Sequence, residues 1–177
     1  VASVDGASFD RDAIPVLDLG NVDDIEYGVV REAYGAASLE YVERAIDLAI
    51  SGAVDAITTA PINKQATRLA GSQHAGHTGL LAARTDTDDY SMMLVEDDLR
   101  VTHVSTHVPL REACDRVTED AVLSTVEVTD RALREMGVAN PEIAVAGLNP
   151  HASDGGLLGE TEADEIRPAV ERAEGAG

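Results

Sequence analysis

Two histidines stand where a metal-dependent active site would draw its ligands. His107 and His151 each come directly after a predicted strand, in Thr-His-Val-Pro and Asn-Pro-His-Ala. Imidazoles brought to one edge of a sheet from separate strands can share a divalent ion and leave positions open for substrate oxygens. Such an ion would acidify a bound hydroxyl and stabilise negative charge during its oxidation. The alternative is a pair of surface or capping histidines with no ligand, and spacing alone leaves both interpretations open.

A second group of residues could hold an anion. Gly76, His77 and Thr78 directly precede a predicted helix, where free backbone N–H groups and the helix dipole favour a phosphate or a carboxylate. Lys64 follows another predicted strand and is the only lysine of the chain, so it would add a point positive charge. The alternatives are ordinary helix capping by Thr78 and a solvated lysine at a helix start.

The remaining chemically versatile residues give weaker signals. His103 lies within an apolar predicted strand and is interpreted as a hydrogen-bonded core residue or a helix-facing residue. Cys114 has no obvious activating base and is interpreted as a buried thiol rather than a nucleophile. The stretch from Gly155 to Gly159 permits close backbone approach, but it matches neither GxGxxG nor a Walker A loop. Catalytic and cofactor-binding residues therefore stay unassigned.

The elements that must position these residues alternate between helices and apolar strands. Apolar 3-and-4 spacing predicts a helix from Ser38, as its cap, to Gly52, and further helices over 64–70, 78–84, 109–114, 118–136 and 160–174. Apolar runs predict strands at 53–59, 90–95, 99–106 and 142–148. This order predicts an α/β fold with a mostly parallel sheet and flanking helices. Segments 90–95 and 99–106 could instead form a hairpin, which would make the sheet mixed.

Composition narrows the class of protein. The 177 residues carry a formal net charge of −20, with one cysteine and 3% aromatic residues. Such acidity argues against nucleic acid and membrane partners, and no apolar run reaches the ~20 residues that cross a bilayer. We expect a soluble, cytoplasmic protein. Twelve of the 13 basic residues are arginine, and dispersed acidity with almost no lysine favours a halophilic source over a merely acidic proteome.

Five short motifs, in order, resemble one enzyme family. The chain is similar to the 4-hydroxythreonine-4-phosphate dehydrogenases, including relatives that act on phosphorylated threonate or erythronate. The match is clearest over residues 53–159. The motifs are TAPINK at 59–64, GHT at 76–78, MML and LRV at 92–94 and 99–101, THVPLR at 106–111, and GLNPHA with GG at 147–152 and 155–156.

The resemblance implies an isocitrate/isopropylmalate dehydrogenase-like fold. It also implies oxidation by NAD or NADP of a phosphorylated 3-hydroxy acid such as 4-phosphohydroxy-L-threonine, giving a keto acid that can lose carbon dioxide. By this resemblance His107 and His151 are ligands of a divalent metal (Zn, Mg, Mn or Co), and His77 and Thr78 contact the phosphorylated substrate. A homodimer is implied too, since the family's active sites lie at a subunit interface.

The chain departs from the family at several points. Gly79 stands where an acidic residue usually follows GHT, and Ser153-Asp154 stands where Gly-Glu is common. The usual amino-terminal segment is missing, as is the carboxyl-terminal region with a third metal histidine. We therefore expect residues 1–177 to be part of a dehydrogenase subunit. The alternative is a non-catalytic or vestigial acidic domain that binds a metal or an anion after truncation.

Overall fold

The computed structural model describes residues 1, 3–8, 12–74 and 76–176. These residues form two compact units, Val1–Thr87 and Asp88–Gly177. Helices and one hairpin make up the regular structure, so the predicted α/β class is confirmed at this level. Among the described helices, none has both the length and the apolar character needed to cross a bilayer.

The first unit is built from three helices: α1 (Glu32–Ile50), α2 (Lys64–Leu69) and α3 (His77–Arg84). A short 3-10 turn, Val4–Gly6, precedes them. Val42 and Ile46 of α1 pack on Leu80 of α3, and Ile57 lies against this core from the segment between α1 and α2. This core therefore holds α3 against α1, and it positions His77 and Thr78 at the start of α3.

Residue size decides how closely α1 and α2 approach. Gly35 of α1 faces the backbone of α2 at Ala66, where a Cβ would overlap the main-chain carbonyl. The buried face of the first turns of α1 thus consists of Gly35 and Ala37. These small residues carry no apolar 3-and-4 signal. For this reason the predicted start at Ser38 is wrong: the helix begins at Glu32, and Ser38 lies inside it.

The second unit contains a hairpin and three helices. They are β1 (Met93–Glu96), β2 (Leu99–Thr102), α4 (Leu110–Asp115), α5 (Glu119–Glu135) and α6 (Arg167–Ala176). A 3-10 turn, Pro150–Asp154, and a π-helical turn, Glu162–Ile166, lie between α5 and α6. Val122 of α5 packs on Ile166 and Ala169, with Val104 and Val145 at the margin of this core.

The predicted, mostly parallel sheet is absent from the described residues. Their one sheet has two antiparallel strands, with Met93 opposite Thr102 and Glu96 opposite Leu99. The hairpin alternative is therefore the arrangement observed, and Asp97 turns it with a left-handed φ of 47°. Residues 53–59 and 142–148 pair with no other strand of the described ranges. Burial nevertheless alternates along 141–146, as in a strand with one face on a core.

Two predictions about individual side chains in this unit also need correction. Cys114 is exposed rather than buried, and none of the residues of the short helix α4 is buried. His103 is half-buried, yet its Nδ1 is buried without a hydrogen-bond partner among the described residues. The expected hydrogen bond of this imidazole nitrogen is therefore not observed.

Candidate functional site

Lys64 and Gly76 lie close together in the first unit. Asn63 caps α2 by accepting a hydrogen bond from the backbone N–H of Ala66 at 2.9 Å, which fixes the helix start at Lys64. Lys64 is exposed, and its Cε lies 4.0 Å from where a Cβ on Gly76 would stand. The lysine side chain thus reaches the residue that precedes α3, where backbone N–H groups have no partner within the helix.

His77 and Thr78 differ in how they face solvent. The helix begins at His77 with Gly76 as its N-cap and no side-chain cap, so capping by Thr78 is not observed. Thr78 is exposed and open to a ligand. His77 is half-buried, and its Nε2 is buried with no hydrogen-bond partner in the part of the chain described. That ring nitrogen therefore retains an unused donor or acceptor.

His107 and His151 both lie in the second unit, and both have left-handed backbones. Their φ angles are 57° and 53°, and both side chains belong to exposed residues. His107 lies between β2 and α4, and His151 begins a run of four left-handed residues that ends at Asp154. Non-glycine residues in this region cost about 1–3 kcal/mol each and cluster at functional sites.

A buried carboxylate holds the loop of His151. Glu162 is 8% exposed and accepts the backbone N–H of Asn149 at 2.5 Å and its side-chain Nδ2 at 3.0 Å. The hydroxyl of Ser153 donates to the same carboxylate. These bonds, first that of Ser153 and then those of Asn149, lower the pKa of Glu162 to about 2. Glu162 is therefore ionised, and it accepts hydrogen bonds from Asn149 and Ser153, which stand two residues before and two residues after His151.

The donor chemistry around His107 and His151 fits a divalent ion only in part. Imidazole nitrogens suit Zn²⁺ and other first-row divalent ions. Throughout the described ranges, however, no three His, Cys, Asp or Glu side chains lie together as a metal-binding cluster. The second unit therefore offers two exposed imidazoles, which is fewer than the three protein ligands typical of a catalytic zinc site.

No motif or periodicity pointed to Glu162. Its partner Asn149 is 13 positions away, so the contact belongs to no helix or strand spacing. The one available signal was Ser153, which departs from the family pattern and turns out to be buried against Glu162.

Comparison with known proteins supports one family throughout. The model of the family described as pyridoxal phosphate biosynthetic protein PdxA matches residues 2–177. A protein of Symbiobacterium thermophilum, provisionally named D-threonate 4-phosphate dehydrogenase, is 41% identical over 93% of this chain and 48% of its own length. The chain therefore spans about half the length of such curated relatives.

Solved structures agree with that match. A 4-hydroxythreonine-4-phosphate dehydrogenase from Burkholderia phymatum is 38% identical with a TM-score of 0.86, over 100% of this chain and 54% of the other. The enzyme of the same name from Klebsiella pneumoniae is 43% identical with a TM-score of 0.79, over 85% and 46%. With the family model matching nearly every residue, the chain belongs to the pyridoxal phosphate biosynthetic protein PdxA family.

Proposed function

We propose that this chain is part of a dehydrogenase that oxidises a phosphorylated 3-hydroxy acid with NAD or NADP and a divalent metal. The names of its relatives suggest 4-phosphohydroxy-L-threonine or D-threonate 4-phosphate as substrate. One observation carries the proposal: the whole chain superposes on a 4-hydroxythreonine-4-phosphate dehydrogenase with a TM-score of 0.86. The secondary alcohol would lose a hydride to the nicotinamide and a proton from its hydroxyl, and the resulting keto acid could then lose carbon dioxide.

Each candidate residue has a role in this reaction. Lys64 would bind the substrate phosphate electrostatically, and Thr78 and His77 would donate hydrogen bonds to it at the start of α3. His107 and His151 would hold the divalent ion together with ligands from outside the described residues. When bound, the ion would polarise the reacting hydroxyl and stabilise the charge that develops on its oxygen. The residues that bind the nicotinamide cofactor stay unassigned.

The assembled enzyme is further proposed to be a homodimer with an isocitrate/isopropylmalate dehydrogenase-like fold. In it, residues 53–59 and residues 142–148 would each form a strand of a mostly parallel sheet. The alternating burial of 141–146 supports a strand at the second segment, because one face lies on a core. Light scattering tests the dimer, and strong amide-exchange protection in both segments of the assembled protein tests the sheet.

A non-catalytic domain that binds a metal or an anion is the second candidate. The small number of candidate metal ligands favours this alternative, because the described part of the chain holds no cluster of three metal-binding side chains. In that case Lys64 and the start of α3 would still bind phosphate, and the two histidines would bind a metal weakly. No nicotinamide would be reduced.

Cofactor reduction distinguishes the two candidates. The chain is mixed with either phosphorylated substrate, with NAD or NADP, and with each of Zn²⁺, Mg²⁺, Mn²⁺ and Co²⁺, and NAD(P)H is followed by absorbance. Metal-dependent reduction that chelation abolishes supports the dehydrogenase. Binding of phosphate or metal by calorimetry without any reduction, both by this chain and by a chain extended to the length of its relatives, supports the non-catalytic domain. Absence of both binding and reduction contradicts both candidates for this chain.

A further inference from the structure

Glu162 is linked to His151 through the residues on either side of it. Its carboxylate accepts the N–H of Asn149 at 2.5 Å and the side-chain Nδ2 of Asn149 at 3.0 Å, and it accepts the hydroxyl of Ser153. Both Glu162 and Ser153 are buried. Asn149 and Ser153 stand two residues before and two residues after His151. One buried carboxylate therefore ties together both ends of the turn that carries the imidazole.

That turn needs support because its backbone is unfavourable for L-amino acids. Residues 151–154 have φ angles of 53°, 49°, 70° and 49°, and none of them is glycine. Such conformations persist only where the surroundings enforce them. Within the described residues, Glu162 supplies the side-chain contacts that do so at Asn149 and Ser153.

The surroundings of the carboxylate are fitted closely around it. A Cβ on Gly147 would stand 3.3 Å from Glu162 Oε1 and 3.2 Å from the Cα of Ala152. A Cβ on Gly159 would stand 3.3 Å from Asn149 Nδ2. Glycine at both positions lets the loop close on Glu162. The contact is thus part of how the chain packs here.

We propose that Glu162 is a positioning residue for His151. By holding Asn149 and Ser153, it fixes the left-handed turn and with it the direction of the imidazole, without touching a metal or a substrate itself. The effect of this positioning on metal binding rests on the proposed function, in which His151 is a metal ligand. The effect on the imidazole direction does not depend on a metal.

The chemistry of the contact provides a conservative variant. Both oxygens of Glu162 accept hydrogen bonds, Oε1 from the Asn149 N–H and Oε2 from Asn149 Nδ2 and Ser153 Oγ. Glutamine keeps the shape but has one acceptor oxygen, and its NH₂ would face another donor. Glu162→Gln therefore removes part of the contact with little change in volume. Ser153→Ala removes one donor and serves as a second variant should Glu162→Gln fold poorly.

Glu165→Gln is the matched control. Glu165 lies on the same π-helical turn, and its Oε2 accepts the backbone N–H of Glu119 at 2.6 Å, away from the His151 loop. Nuclear magnetic resonance of the metal-free chain then reports the ring carbons and nitrogens of His151, which are assigned by comparison with His151→Ala. Titration with Zn²⁺ gives the affinity of each variant for the metal.

We expect the His151 ring signals to shift in Glu162→Gln and Ser153→Ala but not in Glu165→Gln. Zinc affinity should fall by about 10–100-fold in the first two variants, as for the loss of other groups that orient a ligand. Unchanged His151 signals in both variants would overturn the proposal, as would equal shifts in the Glu165 control. If the signals shift but His151→Ala binds zinc as tightly as wild type, the proposed metal site fails while the positioning role stands.

Discussion

Gly35 of α1 lies directly against the main-chain carbonyl of Ala66 in α2. A Cβ built on Gly35 would overlap that carbonyl and would stand 2.7 Å from the backbone nitrogen of Thr67. Because the obstructing atoms are backbone, they cannot rotate away as a side chain could. The contact seats the helix that begins at Lys64, so the packing of α1 bears directly on the candidate anion site.

Gly35→Ala should therefore destabilise the chain by about 1–3 kcal/mol, the usual cost of overpacking. Urea unfolding followed by circular dichroism measures the change in free energy. Gly175→Ala is the matched control, since a Cβ there meets no atom within 4 Å in helix α6. We expect the control to be neutral or slightly stabilising. Equal stability of the two variants would contradict the close contact of α1 with α2.

Acid should weaken the contact of Glu162 with the His151 loop. The pKa of Glu162 lies at about 2 in the folded chain, below its ordinary value of 4.5. A folded-state pKa that is lowered means stability that is fully present above pH 4.5 and is lost as the pH falls toward 2. The difference in unfolding free energy between wild type and Glu162→Gln should thus be largest near neutral pH and shrink below pH 4.5.

Ser153→Ala refines this prediction. The hydroxyl of Ser153 makes the largest contribution to the lowered pKa of Glu162. Without it, the pKa of the carboxyl should move back toward 4.5, and the acid loss of stability should begin at a higher pH. Carboxyl carbon shifts of Glu162 measured against pH give this pKa directly. A titration unaltered by the substitution would mean that the bond from Ser153 contributes little.

Loss of either candidate metal ligand should reduce metal affinity. His107→Ala and His151→Ala are each expected to weaken Zn²⁺ or Co²⁺ binding. Loss of a group that only orients a metal ligand costs about 10–100-fold in affinity, and loss of a ligand itself should cost at least as much. Calorimetry and the visible spectrum of Co²⁺ measure the change. His74→Ala is the control, because His74 belongs to the other compact unit and to no proposed metal site. Unchanged affinity in both ligand variants would remove this pair of histidines from the proposed metal site.

Phosphate binding should depend on Lys64. Lys64→Ala is expected to lower the affinity for inorganic phosphate about 10-fold at low ionic strength, because one point charge beside the start of α3 is lost. Arg68→Ala removes an exposed charge from the last turn of the same helix and should have a smaller effect. Added KCl should narrow the difference by screening. Equal losses in both variants would indicate a general electrostatic effect rather than a site.

The stability of the chain should rise with salt. Its formal net charge is −20, and repulsion among exposed carboxylates is screened at high ionic strength. Seven ion pairs link Arg to Glu or Asp among the described residues, and each involves a largely exposed side chain. Such pairs contribute little to the free energy of unfolding. Their weakening by salt should therefore not offset the stability gained from screened repulsion. A melting temperature that stays constant or falls with KCl would contradict the halophilic interpretation.

Most helices were predictable from local signals, whereas only two of the four predicted strands, those of the hairpin, form in the described residues. The helix expected to start at about Thr118 and the one expected to start at Lys64 appear as α5 and α2, because capping and 3.6-residue periodicity lie within a few neighbouring residues. Residues 53–59 and 142–148 have apolar strand patterns, yet a strand exists only where another strand pairs with it. The presence of a partner strand cannot be read from one segment of sequence.

In the candidate site, too, local features were predictable and long-range contacts were not. The sequence patterns singled out Lys64, His77, Thr78, His107 and His151 as candidates, and the structure adds the proximity of Lys64 to Gly76. Left-handed backbones at His107 and His151 were unforeseen, since the residue type gives no reason for them. Glu162 was missed because its contacts span a loop that no periodicity describes.

A practical consequence follows from the isolation of Lys64. It is exposed at the first residue of α2 and is the only lysine of residues 1–177. An acylating reagent that targets lysine amines can therefore modify a single lysine side chain of this sequence. Its rate of attachment, with and without a competing phosphoester, becomes a one-residue footprint of ligand occupancy that needs no catalytic turnover.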